Sequence, residues 1–437
     1  MPVTAIHVKA VGMTKKIILL AALLITAPAL ASVITISNSG ASARCADKDG
    51  IEKRLARRVL CTVDEYRAAF ASSSIGMLVK SMTGGASHEI IISSNAELQK
   101  ILENPKDGTV IKLMAGTYPE LIIDRVRVPG KVIIVSANPA QPATVGHMVI
   151  RGSAGFAVRD MNLFADQVDQ VFPFLVTNSE NIELSGLTVK GKRASGKPTR
   201  EAAALMIRNS GNVTVTRSDF SESRHGLSFL KVTNMTITHN QFHDLQTDGV
   251  RGGGVNTILI ANNMFTDFYP APKDHPDGIQ LWSTHQTEPG RNITIRDNLV
   301  IRGKGGPTQG IFIRDTFRKL PFENIVITGN LIMGARFNGI AINGVVGARI
   351  EDNDVIAYPD QKSWIRADGV TNVEISNNRS TAYASRTPAG VKFKDNKTLR
   401  PAKKDRKERI LEWVQRKDSP PQPENRLFHR ILSEAGD

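Results

Sequence analysis

NVTVTRSDF (Asn212–Phe220) and NMTITHNQF (Asn234–Phe242) are one phrase written twice, 22 residues apart. An Asn opens it, apolar residues alternate through the middle, and a second polar turn follows. The phrase recurs as NIELSGLTV from Asn181, NTILIANNMF from Asn256, NITIRDNLV from Asn292 and NIVITGNLI from Asn324. ARIEDNDVI from Ala348 and NVEISNNRS from Asn372 continue it. Start-to-start spacings run 31, 22, 22, 36, 32, 24 and 24 residues. A base period with insertions marks a stacked repeat. The alternation marks strands with one buried face. Asn tolerates left-handed backbone, so it suits the turns, and stacked copies would form side-chain ladders.

A second phrase precedes the first in most repeats: HGLSF at His225, DGVRG at Asp248, DGIQLW at Asp277, QGIFIR at Gln309 and NGIAI at Asn338. Gly holds the same place each time and an apolar residue follows. Two or more short strands per repeat cannot bury a face alone. Stacked, they make parallel sheets with about 4.8 Å between coils.

This pattern resembles the right-handed parallel β-helix proteins of the pectate-lyase-like superfamily, over roughly Ile91 to Phe393. The N-terminal end is similar too. Ser94-Asn95-Ala96-Glu97 is a capping box opening a short amphipathic helix through Asn104 that would plug the solenoid. DGTVIKLMAGTYPE (Asp107–Glu120) looks like a first coil. The expected fold is therefore all-β: a right-handed parallel β-helix over 89–396 with an N-terminal capping helix and short helical flanks. Such a repeat specifies fold far better than function.

The flanks read differently. Lys15 and Lys16, the apolar run Ile17–Ala27 and Ala29-Leu30-Ala31 describe a secretory signal peptide over 1–31, cut after Ala31. The run is too short to span a bilayer. Periplasm or secretion is expected, with no membrane insertion after cleavage. Residues 32–88 form an extension holding Cys45 and Cys61, expected to pair in an oxidising compartment. Residues 397–437 read as a charged helical tail, with a helix from Lys403 to Arg416, a Pro420-Pro421 break and an amphipathic RLFHRIL. Its charges are expected to be a solvated face.

The chain carries a net charge of +14, and +11 without the leader. That favours an anionic partner. Aromatic residues are only 5%, which argues against a stacking-based nucleic-acid binder. An acidic polysaccharide is the expected partner, bound by a monomer, with no nucleic acid involved.

Aligning the second phrase on its Gly stacks side chains across coils. The position before Gly runs His225, Asp248, Asp277, Gln309, Asn338. Two after Gly come Ser228, Arg251, Gln280, Phe312, Ala341, read as facing outward with the Gly. Two further come Leu230, Gly253, Trp282, Arg314, Asn343. Insertions around Asp277 add Asp274, His275, His285 and Lys304. Loops on one side of a rigid scaffold make clefts. The candidate catalytic residues are Asp248, Arg251, Asp274, His275, Asp277 and Arg314. Candidate substrate-binding residues are Arg224, His225, Gln280, Trp282, His285 and Lys304.

Arg suits bidentate pairing with uronate carboxylates. β-Elimination needs that neutralisation, a base for the C5 proton (His275 or Lys304) and a proton for the leaving oxygen. Hydrolysis needs two carboxyl groups at a defined separation, for which Asp248, Asp274 and Asp277 are available. TDGV (Thr247–Val250) resembles part of the polygalacturonase NTDG motif, and RHGLSF its GHG motif in the wrong order; the paired DD and RIK are absent from the expected places. Asp274-His275-Pro276-Asp277 resembles, in altered order, the DPH-type motif of alginate C5-epimerases. A β-eliminating lyase comes first; a hydrolase, a C5-epimerase or a non-catalytic carbohydrate-binding β-helix remain open. No cofactor is required by these motifs; calcium is the one ion the resemblance leaves open. EDND (Glu351–Asp354) lies in a strand phrase and is not read as a calcium site.

Overall fold

The computed structural model describes residues 88–165, 172–191, 203–403, 405–417 and 425–435. The expected leader, the extension up to residue 87 and the Cys45–Cys61 pair lie outside them. Among the described residues, 29 strands pair exclusively in parallel. A typical repeat supplies three. Residues 227–232 lie in the first sheet and 235–238 in the second, and Gln241–His243 form the third. Val250 then begins the next coil beside Leu227.

The asparagines explain the corners. Asn212, Asn234, Asn292, Asn324 and Asn372 all sit at φ between 51° and 56°, where the first sheet turns into the second. Asn enters this region more easily than other side-chain-bearing residues. Their amides form an exposed ladder: Asn234 Nδ2 donates to Asn212 Oδ1 over 3.1 Å, and Asn324 to Asn292 over 2.8 Å. A second ladder is buried. Asn240, Asn263, Asn298, Asn330, Asn353 and Asn378 stack one per coil. Asn263 Nδ2, for example, donates to Asn298 Oδ1 at 3.0 Å and to the Ile237 carbonyl at 2.9 Å. Each of these buried asparagines therefore satisfies its amide through the neighbouring coils.

Apolar residues stack in register inside. Ile237, Ile260, Ile295, Ile327, Ile350 and Ile375 form one buried column. Phe220, Phe242 and Phe265 form another, with ring centroids 4.9 Å apart. Helix α1 (Asn95–Glu103) covers the first coils with Leu98 and Leu102, both in the main core. Ser94 Oγ accepts from the Glu97 amide at 3.3 Å, as the capping box requires.

The tail is helical as expected, but its setting is not. It forms helices α2 (Arg406–Gln415) and α3 (Arg426–Glu434). These are not simply solvated. Ile410, Trp413, Leu427, Phe428 and Ile431 pack on Met264, Leu299, Ile301, Leu331, Met333 and Ile356 of the third sheet. That sheet carries apolar residues on both faces, so it needs an outer cover. Charges join the contact: Lys417 pairs with Asp297 at 2.6 Å and Arg430 with Asp267 at 2.8 Å, while Arg416 and Arg379 share the buried Asp354. Asn353 belongs to the buried ladder and Asp354 to this ion pair, so EDND serves structure.

Candidate active site

Six strand segments carry the site sheet: β1 (Leu227–Thr238), β2 (Val250–Ala261), β3 (Asp277–Trp282), β4 (Gln309–Arg314), β5 (Phe337–Glu351) and β6 (Ser363–Ser376). Their register is the one the glycines imply. Ser228 pairs with Arg251, Arg251 with Gln280, Gln280 with Phe312 and Phe312 with Ala341. Asp277 stands beside Gln309 and Trp282 beside Arg314. One detail differs. The glycines do not face outward with Arg251 and Gln280. A Cβ on Gly226 or Gly249 would run into the Phe242 or Phe265 ring, 2.6 and 2.5 Å away. They sit at the corner against the interior phenylalanines, and the chain bends there. That bend brings Asp248 beneath Arg251, three residues on.

The result is a compact polar cluster. Arg251 Nη1 donates to Asp248 Oδ2 over 2.8 Å and lies 3.2–3.3 Å from both ring nitrogens of His225. His225 Nδ1 is 3.8 Å from Asp248 Oδ2. Thr247 Oγ1 bonds His225 Nδ1 and also donates to the Arg224 carbonyl. The Asp277 amide donates to Asp248 Oδ1 at 3.0 Å, and Gln280 Nε2 to Asp277 Oδ2 at 2.6 Å. The Arg251 guanidinium also lies 4.8 Å from the Trp282 ring centroid.

Burial decides the protonation states. Asp277 is 0% exposed, and its Oδ1 has no hydrogen-bond partner. Burial first, then the neighbouring Asp248, push its carboxyl well above the usual range. Asp248, 3% exposed, is pushed up to about 6, again mainly by burial, against the pull of Arg251. His225, 9% exposed, is held down to about 3 by burial and by Arg251 and Arg224. Its ring is therefore neutral at neutral pH.

Above this cluster lies an open groove of about 380 Å³, lined by Arg251, Gln280, Trp282, Thr284, Phe312, Arg314 and Thr316. Loops 267–276 and 302–308 enter the sheet along one edge, and loops 283–290 and 315–321 leave along the other. Asp248, Arg251, Asp277, His225, Gln280, Trp282 and Arg314 thus come together, with Arg224 exposed beside them.

Other expected residues have separate positions. Asp274 Oδ2 accepts from Gln246 and from the Ala271 amide, so it ties its own loop. His275 and His285 are exposed and make no hydrogen bond or ion pair among the described residues. Lys304 pairs with Glu434 of α3 at 2.9 Å and bonds Asp267 through its amide. That ion pair commits it to the tail contact rather than to the Arg251 cluster. Thr247 was missed, although it immediately precedes Asp248 in TDGV. Phe312 was seen in the column but given no role.

Calcium does not fit this cluster. Asp248 is already paired with Arg251, Asp277 is sealed from solvent, and cationic arginines line the groove. No three carboxylate, imidazole or thiol groups converge as metal ligands among the described residues.

A family model described as a right-handed β-helix region matches residues 174–355. None of the curated proteins compared with the chain matches it. Solved structures similar to it include the Dettilon tailspike protein, at 12% identity and TM-score 0.48, over 68% of this chain and 59% of that one. A surface adhesin of Streptococcus pneumoniae is similar at 12% identity and TM-score 0.45, over 70% of this chain and 86% of that one. The alginate lyase from a Paenibacillus species is similar at 12% identity and TM-score 0.43, over 72% of this chain and all of that one. This chain spans less than two thirds of the tailspike's length. At such identities the likeness concerns fold alone. Register, corner asparagines and the matched region agree on one architecture: the described coils form a right-handed parallel β-helix.

Proposed function

We propose that the groove over Arg251 and Trp282 binds an acidic polysaccharide and acts on it by β-elimination. The observation that carries this reading is the asymmetry of the charges. The cations Arg251 and Arg314 face the groove, whereas Asp277 is fully enclosed. Hydrolysis needs two carboxyl groups flanking a glycosidic bond. Asp248 is enclosed as well, at 3% exposure, so hydrolysis would require two enclosed carboxyls to be uncovered, whereas elimination requires only one, uncovered as Arg251 turns away. Elimination instead needs a neutralised uronate and one base.

In this reading Arg251 and Arg314 pair with the uronate carboxylate, which acidifies the C5 proton. As Arg251 turns to the substrate, Asp248 loses its counter-charge and becomes a stronger base. Asp248 takes the C5 proton, the C4–C5 double bond forms and the C4–O4 bond breaks. The leaving oxygen takes a proton from solvent at the open side of the groove. His225, neutral and anchored by Thr247, keeps the pocket from repelling Arg251. Trp282 offers an apolar face to a sugar ring. Export through a leader at 1–31 and action as a monomer belong to the same proposal.

The test is incubation of the purified protein with mannuronate, guluronate, galacturonate and glucuronate polymers. Ultraviolet absorbance from a new C4–C5 double bond, lost in Asp248→Asn, is the expected result. New reducing ends without that absorbance would make the protein a hydrolase. Deuterium entering C5 from heavy water without chain cleavage would make it an epimerase. Binding with no reaction would leave a carbohydrate-binding module.

A further inference from the structure

The column of the site sheet that carries Asp277 does not end there. Gln309 stands beside Asp277, Asn338 occupies that place on β5, and Trp364 pairs with Asn338. At about 4.8 Å per coil, Trp364 lies about 14 Å from Asp277 along the helix axis. The Phe337 ring stacks on Trp364 with centroids 5.4 Å apart and planes 29° apart. The Arg336 guanidinium lies 5.4 Å from the centre of the Phe337 ring.

Phe337 is unusual in two ways. It is 41% exposed, and its φ is 56°. A bulky aromatic residue rarely adopts left-handed backbone. It does so here beside a register shift between Asn338 and Ile340, and its amide donates to the Lys362 carbonyl at 2.6 Å. Trp364 is equally constrained: its Nε1 donates to Asn338 Oδ1 at 3.1 Å, and Asn338 Nδ2 donates to Gln309 Oε1. The fold therefore uses strain and a hydrogen-bond relay to hold an aromatic pair at the surface. A core role does not account for it, since the outer ring faces water. Local strain of this kind clusters where ligands are held.

We infer that Phe337 and Trp364, with Arg336, form a second sugar-binding platform for the same polymer, three coils beyond Asp277. This rests on the acidic-polysaccharide reading above. The apolar face of a sugar ring would lie on the aromatic pair, and Arg336 would meet a uronate carboxylate. The groove at Trp282 and this platform would hold one chain running across the strands.

The test compares uronate trisaccharides with octasaccharides of the polymer that the wild type binds best, by calorimetry. The octasaccharide should bind the wild type about tenfold more tightly than the trisaccharide. Phe337→Ala with Trp364→Ala should abolish that advantage and leave trisaccharide affinity unchanged. Arg336→Ala should reduce the advantage while leaving the Phe337–Trp364 stack in place, and thermal melting verifies that each variant is folded. Should the double variant unfold, Arg336→Ala alone decides the matter. An unchanged length advantage in the folded variants, or none in the wild type, overturns the platform and spares the groove. A wild type that binds no uronate oligomer overturns both. A double variant that keeps all sugar binding but loses a protein partner would reassign the aromatic pair to protein recognition.

Discussion

Arg251 Nη1 donates to Asp248 Oδ2 over 2.8 Å across the bend made by Gly249. This pair ties the electrostatics of the site to the stability of its coil. Asp248 is almost wholly buried, whereas Arg251 reaches the groove. Arg251→Ala leaves that carboxyl without its cation and should cost about 3 kcal/mol. Arg251→Met combined with Asp248→Asn should recover most of it. Urea unfolding of the two variants and the wild type measures the effect; equal stability of Arg251→Ala and wild type would contradict it.

His225 gives a signature in acid. Its folded pKa, about 3, lies below the ordinary value of 6.5. Between those values the unfolded chain binds a proton that the folded chain refuses, so stability falls as pH drops from 6.5 toward 3. The slope owed to this one group approaches about 1.4 kcal/mol per pH unit. His225→Gln should remove that component from a comparison of melting curves over the same window.

Asp277 acts in the opposite direction. Its folded pKa is raised, so its contribution is present below the ordinary value of 3.8 and is lost as pH climbs. Asp277→Asn keeps the shape and the acceptor for Gln280 while removing the ionisation. At pH 7 the variant should be at least as stable as wild type, with the gap closing near pH 4. A variant less stable at pH 7 would show that the carboxylate is satisfied in a way the hydrogen bonds do not indicate.

Trp413 is buried, and its Nε1 donates to the Gly329 carbonyl at 2.8 Å. Trp413→Ala should cost about 3–5 kcal/mol in chemical denaturation. The site sheet lies on a different face, so oligosaccharide affinity of the folded variant should stay at the wild-type level. A loss of affinity at constant fold would mean that the third sheet and the groove are coupled.

Much of the molecule was legible because a coiled stack repeats its chemistry. Asn212, Asn234 and Asn324 mark the same corner, and Gly226, Gly249 and Gly278 set one register. A correct register alone brings His225, Asp248, Asp277, Arg251 and Gln280 into adjacent rows. Side-chain direction at the corner was less legible. A strict two-residue alternation places the glycines outward, and only the bulk of Phe242 and Phe265 shows that the chain bends there. Residues on the insertions, His275, His285 and Lys304, lie outside the repeat, so periodicity says nothing about them. The tail was misread for a similar reason. Its charges dominate its composition, whereas Trp413, Phe428 and Ile431 answer to an apolar face visible only once Leu299, Leu331 and Ile356 are stacked. Phe337 carries no pattern at all; its place depends on a backbone irregularity.

The docking of α2 and α3 has a consequence for biogenesis. The bonds from Trp413 to Gly329, Lys417 to Asp297 and Arg430 to Asp267 reach back 84, 120 and 163 positions. The coils can close in order of synthesis, but the greasy outer stripe of Met264, Leu299, Ile301, Leu331, Met333 and Ile356 waits for a segment made after all of them. A chain cut short before Arg406 would own every rung of the solenoid and still be prone to aggregate, because its waterproofing is made only after the coils it covers.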